Sequence, residues 1–217
     1  MKRLVILDFD GTLADTRTLI VNTMRQTIEK LGLPERTDDE CAAMIGLPLR
    51  QTFTELIPMS EETGDRCVET YRSIFFKNNK PGAVPLFDGV KDTLAALHEA
   101  GFTLSIASSR LRQTLIMYLE EFGIDKLVSY VVSASDTNHA KPEPDMVLMT
   151  LDKLGFKPDE AIVVGDTKFD VLMAHRAGVE AVGVTYGNGS VEEFKENDTE
   201  YIIDSFAEIA GILGVKR

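Results

Sequence analysis

Short apolar runs alternate along this chain with longer stretches whose apolar residues recur at helical spacing. The runs Leu4 to Leu7, Thr103 to Ala107, Leu127 to Val132, Ala161 to Val164 and Ala181 to Val184 are bounded by Gly or Asp and read as buried strands. Between them, Val90, Leu94 and Leu97, then Leu115, Leu119 and Phe122, then Met146, Leu148, Met149, Leu151 and Leu154 follow a helical period. Gly101, Gly123, Gly155 and Gly178 each follow such a stretch, which predicts left-handed helix ends there. Repeated alternation with short connections predicts an α/β fold: a doubly wound parallel sheet, Rossmann-like, with helices on both faces.

One interval breaks the rhythm. From Thr16 to about Lys80 the only patterns are helical, around Leu19 to Leu31, Asp38 to Ile45, Leu49 to Ile57 and Glu61 to Phe76. This predicts an all-helical domain, residues 16–83, inserted into a core formed by residues 1–15 and 84–217. The expected hinges are Ala14 to Thr16 and the polar, Pro- and Gly-bearing stretch Asn78 to Pro85.

The length of 217 residues and a hydrophobic content of 44% suit one large domain or a core with a smaller insertion, and exclude a disordered or fibrous chain. With 23 basic against 35 acidic residues the net charge is -12, so nucleic acid and anionic lipid surfaces are disfavoured partners. Cys41 and Cys67 lack metal-site spacing and are too few for a disulfide scaffold, which fits a reducing compartment. The N-terminus has neither the length nor the cleavage site of a signal peptide, and no run approaches the roughly 20 apolar residues of a membrane span. A cytoplasmic protein with no membrane partner is expected.

Ligands of open α/β sheets bind outside the carboxyl ends of the strands. There the chain carries Asp8-Phe9-Asp10-Gly11-Thr12-Leu13, Ser108-Ser109-Arg110, Lys141-Pro142 and Gly165-Asp166-Thr167-Lys168-Phe169-Asp170. Carboxylates brought together at about 4 Å repel by about 4 kcal/mol at an effective dielectric of about 20, so a counter-charge is required. Oxygen ligands without paired His or Cys point to a hard cation, Mg2+. Lys141, Ser108 and Ser109 add the cation and hydroxyls that stabilise a transferring phosphoryl group.

These four segments in this order resemble the four motifs of the haloacid dehalogenase-like hydrolase superfamily, and the position of the insert is similar to that of its helical-cap class, which includes phosphoglycolate phosphatases. The resemblance implies that Asp8 is the nucleophile and Asp10 the acid and base. It implies that Asp8 and Asp166 ligate Mg2+ through side chains, Asp10 through its backbone carbonyl, and Asp170 from a second shell or through water. Ser108 would bind phosphoryl oxygens beside the backbone of Gly11 and Thr12, and Lys141 would pair with both the phosphate and Asp8. Many members carry Thr-Asn where this chain has Ser108-Ser109, so the role of Ser109 stays open.

The substrate implied is a small phosphorylated metabolite, a phosphoglycolate-like phosphomonoester or pyrophosphate, with the protein a monomer or homodimer. A β-phosphoglucomutase-type sugar phosphomutase uses the same motifs. It is disfavoured because Thr16-Arg17-Thr18-Leu19-Ile20 contains no His; a binding-only module is disfavoured because Asp8 and Asp10 are both present. In Gly46-Leu47-Pro48-Leu49-Arg50, Arg50 is either a partner for a second anionic group or a solvated arginine in a helix turn. Arg110 reads first as a solvated helix-surface residue and second as a group at the site mouth. His98 and His175 read as surface or helix-end residues; His139 is structural, or it tunes Lys141 or touches substrate. Phe75-Phe76 reads as core packing before surface patch.

Overall fold

The first strand becomes the middle of the sheet, and that placement positions everything else. The computed structural model describes residues 1–215, so residues 216 and 217 of the expected core lie outside the described residues. In chain order it contains β1 (Leu4–Leu7), α1 (Arg17–Lys30), α2 (Asp38–Ala42), α3 (Leu49–Leu56), α4 (Glu61–Asn78), α5 (Val90–Glu99) and β2 (Thr103–Ser108). There follow α6 (Arg112–Phe122), β3 (Val128–Ser133), α7 (Asp145–Leu154), β4 (Ala161–Gly165), α8 (Lys168–Arg176), β5 (Glu180–Val184), α9 (Val191–Glu196), β6 (Tyr201–Ile203) and α10 (Ile209–Ile212).

Among the described residues the six strands are parallel, in the order β3-β2-β1-β4-β5-β6. The winding reverses at β1, which creates a crevice at the carboxyl edge between its two neighbours. Leu7 pairs with Ile106 of β2 on one side and Val164 of β4 on the other, so the residues that follow all three strands emerge side by side. Alternation along β1 divides the interior: Val5 and Leu7 pack into one apolar layer, Leu4 and Ile6 into the other. Both layers are sealed, as parallel sheets require.

The helices α1 to α4 have their own apolar cluster, drawn from residues between Val21 and Phe75. Met24 and Phe53 are fully buried there, and Tyr71 meets Phe53 edge to face at 6.0 Å. Thr37 and Glu40 close a reciprocal capping box on α2, and Ser60 caps α4. The connections to the sheet run side by side: Asp15 N–H donates to the Pro85 carbonyl at 2.9 Å and Phe87 N–H to the Leu13 carbonyl at 3.0 Å.

All four expected helix-end glycines have positive φ, from 65° at Gly123 to 87° at Gly101. The sixth strand was not expected. Tyr201–Ile203 is three residues long and its outermost residue, Tyr201, is exposed, so it lacks the continuous apolar run of the inner strands. Leu148 falls out of phase with its helix and is exposed, and the Phe pair splits, Phe75 buried and Phe76 exposed. No helix among the described residues is long and apolar enough to cross a membrane.

Gly183 lies inside β5, where a strand normally has a side chain. A Cβ there would sit 2.7 Å from the ring of fully buried Phe194, which holds α9 against the sheet. Gly183→Ala therefore overpacks this contact and should lower stability by about 1–3 kcal/mol in denaturant titration. An unchanged midpoint would show that Phe194 moves aside freely.

Candidate active site

Asp8 and Asp10 leave β1 at its carboxyl end, and the chain then turns sharply at Gly11, whose φ is +82°. A Cβ at Gly11 would lie 2.1 Å from Asp166 Oδ2, so glycine is needed for conformation and for space. Gly165 does the same for the fourth segment, because a Cβ there would lie 2.2 Å from the Asp170 side chain. The sequence motifs are thus spatial: small residues let the carboxylates crowd.

Asp8, Asp166 and Asp170 are buried and each offers an oxygen within 4.8 Å of the others. Lys141, 1% exposed, reaches in from the segment before α7 and donates to Asp8 Oδ1 at 2.5 Å and Asp170 Oδ1 at 2.6 Å. Asp170 Oδ2 accepts from the Thr167 N–H and hydroxyl, at 3.1 and 2.8 Å, which caps α8. Both Asp170 oxygens are therefore engaged in holding Lys141 and the helix start. Asp166 Oδ2 accepts from the Asn188 N–H and side-chain amide, each at 2.8 Å; its Oδ1 has only the Thr12 hydroxyl, at 3.4 Å. Thr12 turns its hydroxyl to Asp166, while its carbonyl accepts from Tyr186 at 2.8 Å.

Burial raises Asp8 well above the usual carboxylate range; Lys141 opposes this, and Asp170, Asp166 and Asp10 reinforce it. Burial, then Asp170, pushes Asp166 up to about 7 against the Asn188 hydrogen bonds. Burial works against the charge on Lys141, yet Asp170 and Asp8 outweigh it and hold the ammonium above its ordinary value. Counting Asp10 and its partner Arg110, four carboxylates face two cations. The residual charge of two, the oxygen-only donors and the weakly held Asp166 Oδ1 fit a divalent hard cation.

Arg110 corrects the sequence reading most. It is buried, not a solvated surface residue: Nε donates to Asp10 Oδ2 at 3.0 Å and Nη2 to Oδ1. Its guanidinium lies over the rings of Phe75 and Tyr118, each at 5.2 Å, and Phe9, at 5.7 Å. Burial opposes its charge and Asp10 more than restores it. Ser108 is buried at the end of β2, where its Oγ accepts from the Arg110 N–H at 3.3 Å. Ser109 Oγ donates to the Gly46 carbonyl at 2.7 Å, tying the helical insert to the sheet edge.

Arg50 lines the same cavity as Asp8, Asp10 and Ser108, but its Nε donates to Asp65 at 2.8 Å and it is partly exposed. His139 is exposed and bonded to Asp145 at 2.9 Å, a local contact at the start of α7. His98 is exposed, and His175 pairs with Glu200 at 3.1 Å. Asn188 and Tyr186 were missed, although both follow a strand at the same edge, in Thr185-Tyr186-Gly187-Asn188.

A Rossmann-like sheet with an acidic centre at its switch point is a hydrolase architecture, and the comparisons agree. The family model for haloacid dehalogenase-like hydrolases matches residues 5–184. The chain is 36% identical over 214 residues to the probable phosphatase IndB of Dickeya dadantii (strain 3937), covering 97% of this chain and 93% of that one. It is 32% identical over 211 residues to the pyrophosphatase PpaX of Anoxybacillus flavithermus (strain DSM 21510 / WK1), covering 97% and 96%. The crystal structure of a predicted phosphatase from Clostridium acetobutylicum superposes with a TM-score of 0.89 at 28% identity, covering 98% of each chain. The chain belongs to the haloacid dehalogenase-like hydrolase family. Within it, this is an enzyme of the phosphatase kind.

A divalent cation held by this cluster would need Asp166 ionised, and burial with Asp170 beside it pushes that carboxyl up to about 7. Metal affinity should therefore fall as pH drops below that value, by about tenfold per unit for this group alone, and rise further above it as Asp8, also raised by burial, loses its proton. Calorimetry on the metal-free protein reads this directly, with proton release on binding; affinity unchanged between about pH 5.5 and 8 would contradict the charge balance described.

Proposed function

We propose that the protein is a Mg2+-dependent phosphatase that hydrolyses a small phosphorylated metabolite through an aspartyl-phosphate on Asp8. The observation that carries this reading is the Asp8–Lys141–Asp170 cluster beside Asp166, whose Asp8 lines a cavity together with Asp10 and Ser108. Asp8, Asp166 and the Asp10 carbonyl would hold Mg2+, with Asp170 behind them; once bound, the ion neutralises the carboxylates and the phosphoryl oxygens.

The Asp8 carboxylate attacks phosphorus in line, the ester P–O bond breaks, and the leaving oxygen takes a proton from Asp10, which enters this step protonated and regains its proton from water in the second half. Arg110, already seated on Asp10, meets the negative charge that this transfer creates. In the second half Asp10 removes a proton from water, whose oxygen attacks the phosphorus of the acyl phosphate. Asp8 leaves as carboxylate and inorganic phosphate is released. Lys141 and Ser108, with the Thr12 backbone, orient the phosphoryl oxygens, while the Gly11 N–H is taken by the Ala14 carbonyl at 2.9 Å, and Ser109 anchors the loop at Gly46. We assign residues 16–83 as a cap over a core of residues 1–15 and 84–217, which excludes water during attack.

Asp8→Asn removes the nucleophilic charge while keeping the shape. It should reduce phosphate release from an aryl phosphate by at least about a thousandfold, and chelation should do the same to the unmodified enzyme until Mg2+ is restored. Retention of substantial turnover by Asp8→Asn would sink the covalent route.

A further inference from the structure

The cavity between the helical insert and the sheet edge encloses about 410 Å³, an ordinary size for a small-molecule site. Its floor carries Asp8, Asp10 and Ser108, but its walls are a different chemistry. Met24, Tyr71 and Phe75 come from α1 and α4, Met44 and Leu47 from the segment before α3, and exposed Phe76 from the end of α4. The cations that line it are largely committed. Arg110 is bound to Asp10, and Arg50 to Asp65 at 2.8 Å with Glu61 at 3.7 Å. Arg72 is in no ion pair among the described residues, but it is exposed, where a charge contact is worth little.

A second phosphate or carboxylate beside the reacting phosphoryl group would lose water against these walls and find no uncommitted buried cation. An apolar group would instead be drawn in, with aromatic faces available at Tyr71 and Phe75. We infer that the leaving alcohol of the substrate carries an apolar or aromatic body that fills this cavity, making the substrate class phosphomonoesters of such alcohols and not pyrophosphate or phosphoglycolate. This rests on the phosphatase reading, which places the reacting phosphoryl group on the cavity floor.

The test uses straight-chain alkyl phosphates from methyl to octyl, whose leaving groups have nearly the same basicity, alongside pyrophosphate and phosphoglycolate, with the full chain and Mg2+. The expected kcat/KM rises by about threefold to fourfold per methylene until the cavity is full, with the two small substrates that carry a second anionic group at least about tenfold below the hexyl ester. Met44→Gln, a change at a half-buried wall position, should flatten that slope. A flat series, or faster turnover of pyrophosphate or phosphoglycolate than of the hexyl ester, overturns the inference and leaves the phosphatase reading standing. If no ester is hydrolysed, the phosphatase reading fails. Thermal shifts with the matching alkylphosphonates then judge the cavity alone: a shift that grows with chain length supports an apolar occupant, and a flat one contradicts it.

Discussion

The rest of the site depends on one buried ammonium. Lys141 sits between Asp8 and Asp170, nearly removed from water, and joins two elements far apart in sequence. Without it, Asp8, Asp166 and Asp170 could not share so small a volume, since each like-charged pair at about 4 Å costs about 4 kcal/mol at an effective dielectric of about 20. Even with it in place, burial first and the neighbouring carboxylates second raise Asp8 and Asp166. Such a centre suits a bound cation, which would offset the carboxylates that otherwise repel a phosphoryl group. The net charge of -12 points the same way, because the global field repels the anionic substrate that the local field must attract.

Backbone architecture makes this crowding possible. β1 lies at the winding reversal, so Asp8 emerges between the ends of β2 and β4 without any long loop. Gly11 and Gly165 then keep Cβ atoms out of the space that the Asp166 and Asp170 side chains occupy. Asp170 serves the helix and the site together, capping α8 through one oxygen and holding Lys141 through the other. The insert reaches this centre where Phe75 stacks on Arg110, where the Gly46 carbonyl accepts from Ser109, and where Arg17 donates to Asn188 Oδ1 at 3.4 Å. Movement of the insert therefore acts on the group that holds Asp10 and on the segment that carries Ser108.

The strands that bear the chemistry were legible because a strand buried on both faces is a continuous apolar run, and polar residues at its end stand out. The same rule failed for β6, an edge strand with an exposed Tyr201 and no such run. The four acidic positions were legible as a set through their place at strand ends and, mainly, through the resemblance. Arg110 was not, since an arginine beside a helix start is ordinarily solvated; only the fold brings Phe9, Tyr118 and Phe75 around it and places Asp10 opposite. Ser109 was open for a related reason, its partner being a backbone carbonyl in the insert, which carries no sequence signal. Asn188 was within reach of the strand-end rule, after β5, and was passed over because its neighbours carry no charge.

Covalent phosphorylation of Asp8 is tested most directly by trapping the phosphorylated enzyme. Asp10→Asn should let the first transfer proceed to an activated aryl phosphate, while withholding the base that completes hydrolysis. Rapid acid quench followed by peptide mass spectrometry should then find one phosphoryl group on the peptide carrying Asp8, and none when Asp8 is also replaced by Asn. A quenched enzyme free of label during steady turnover, or label on any residue other than Asp8, would contradict the account.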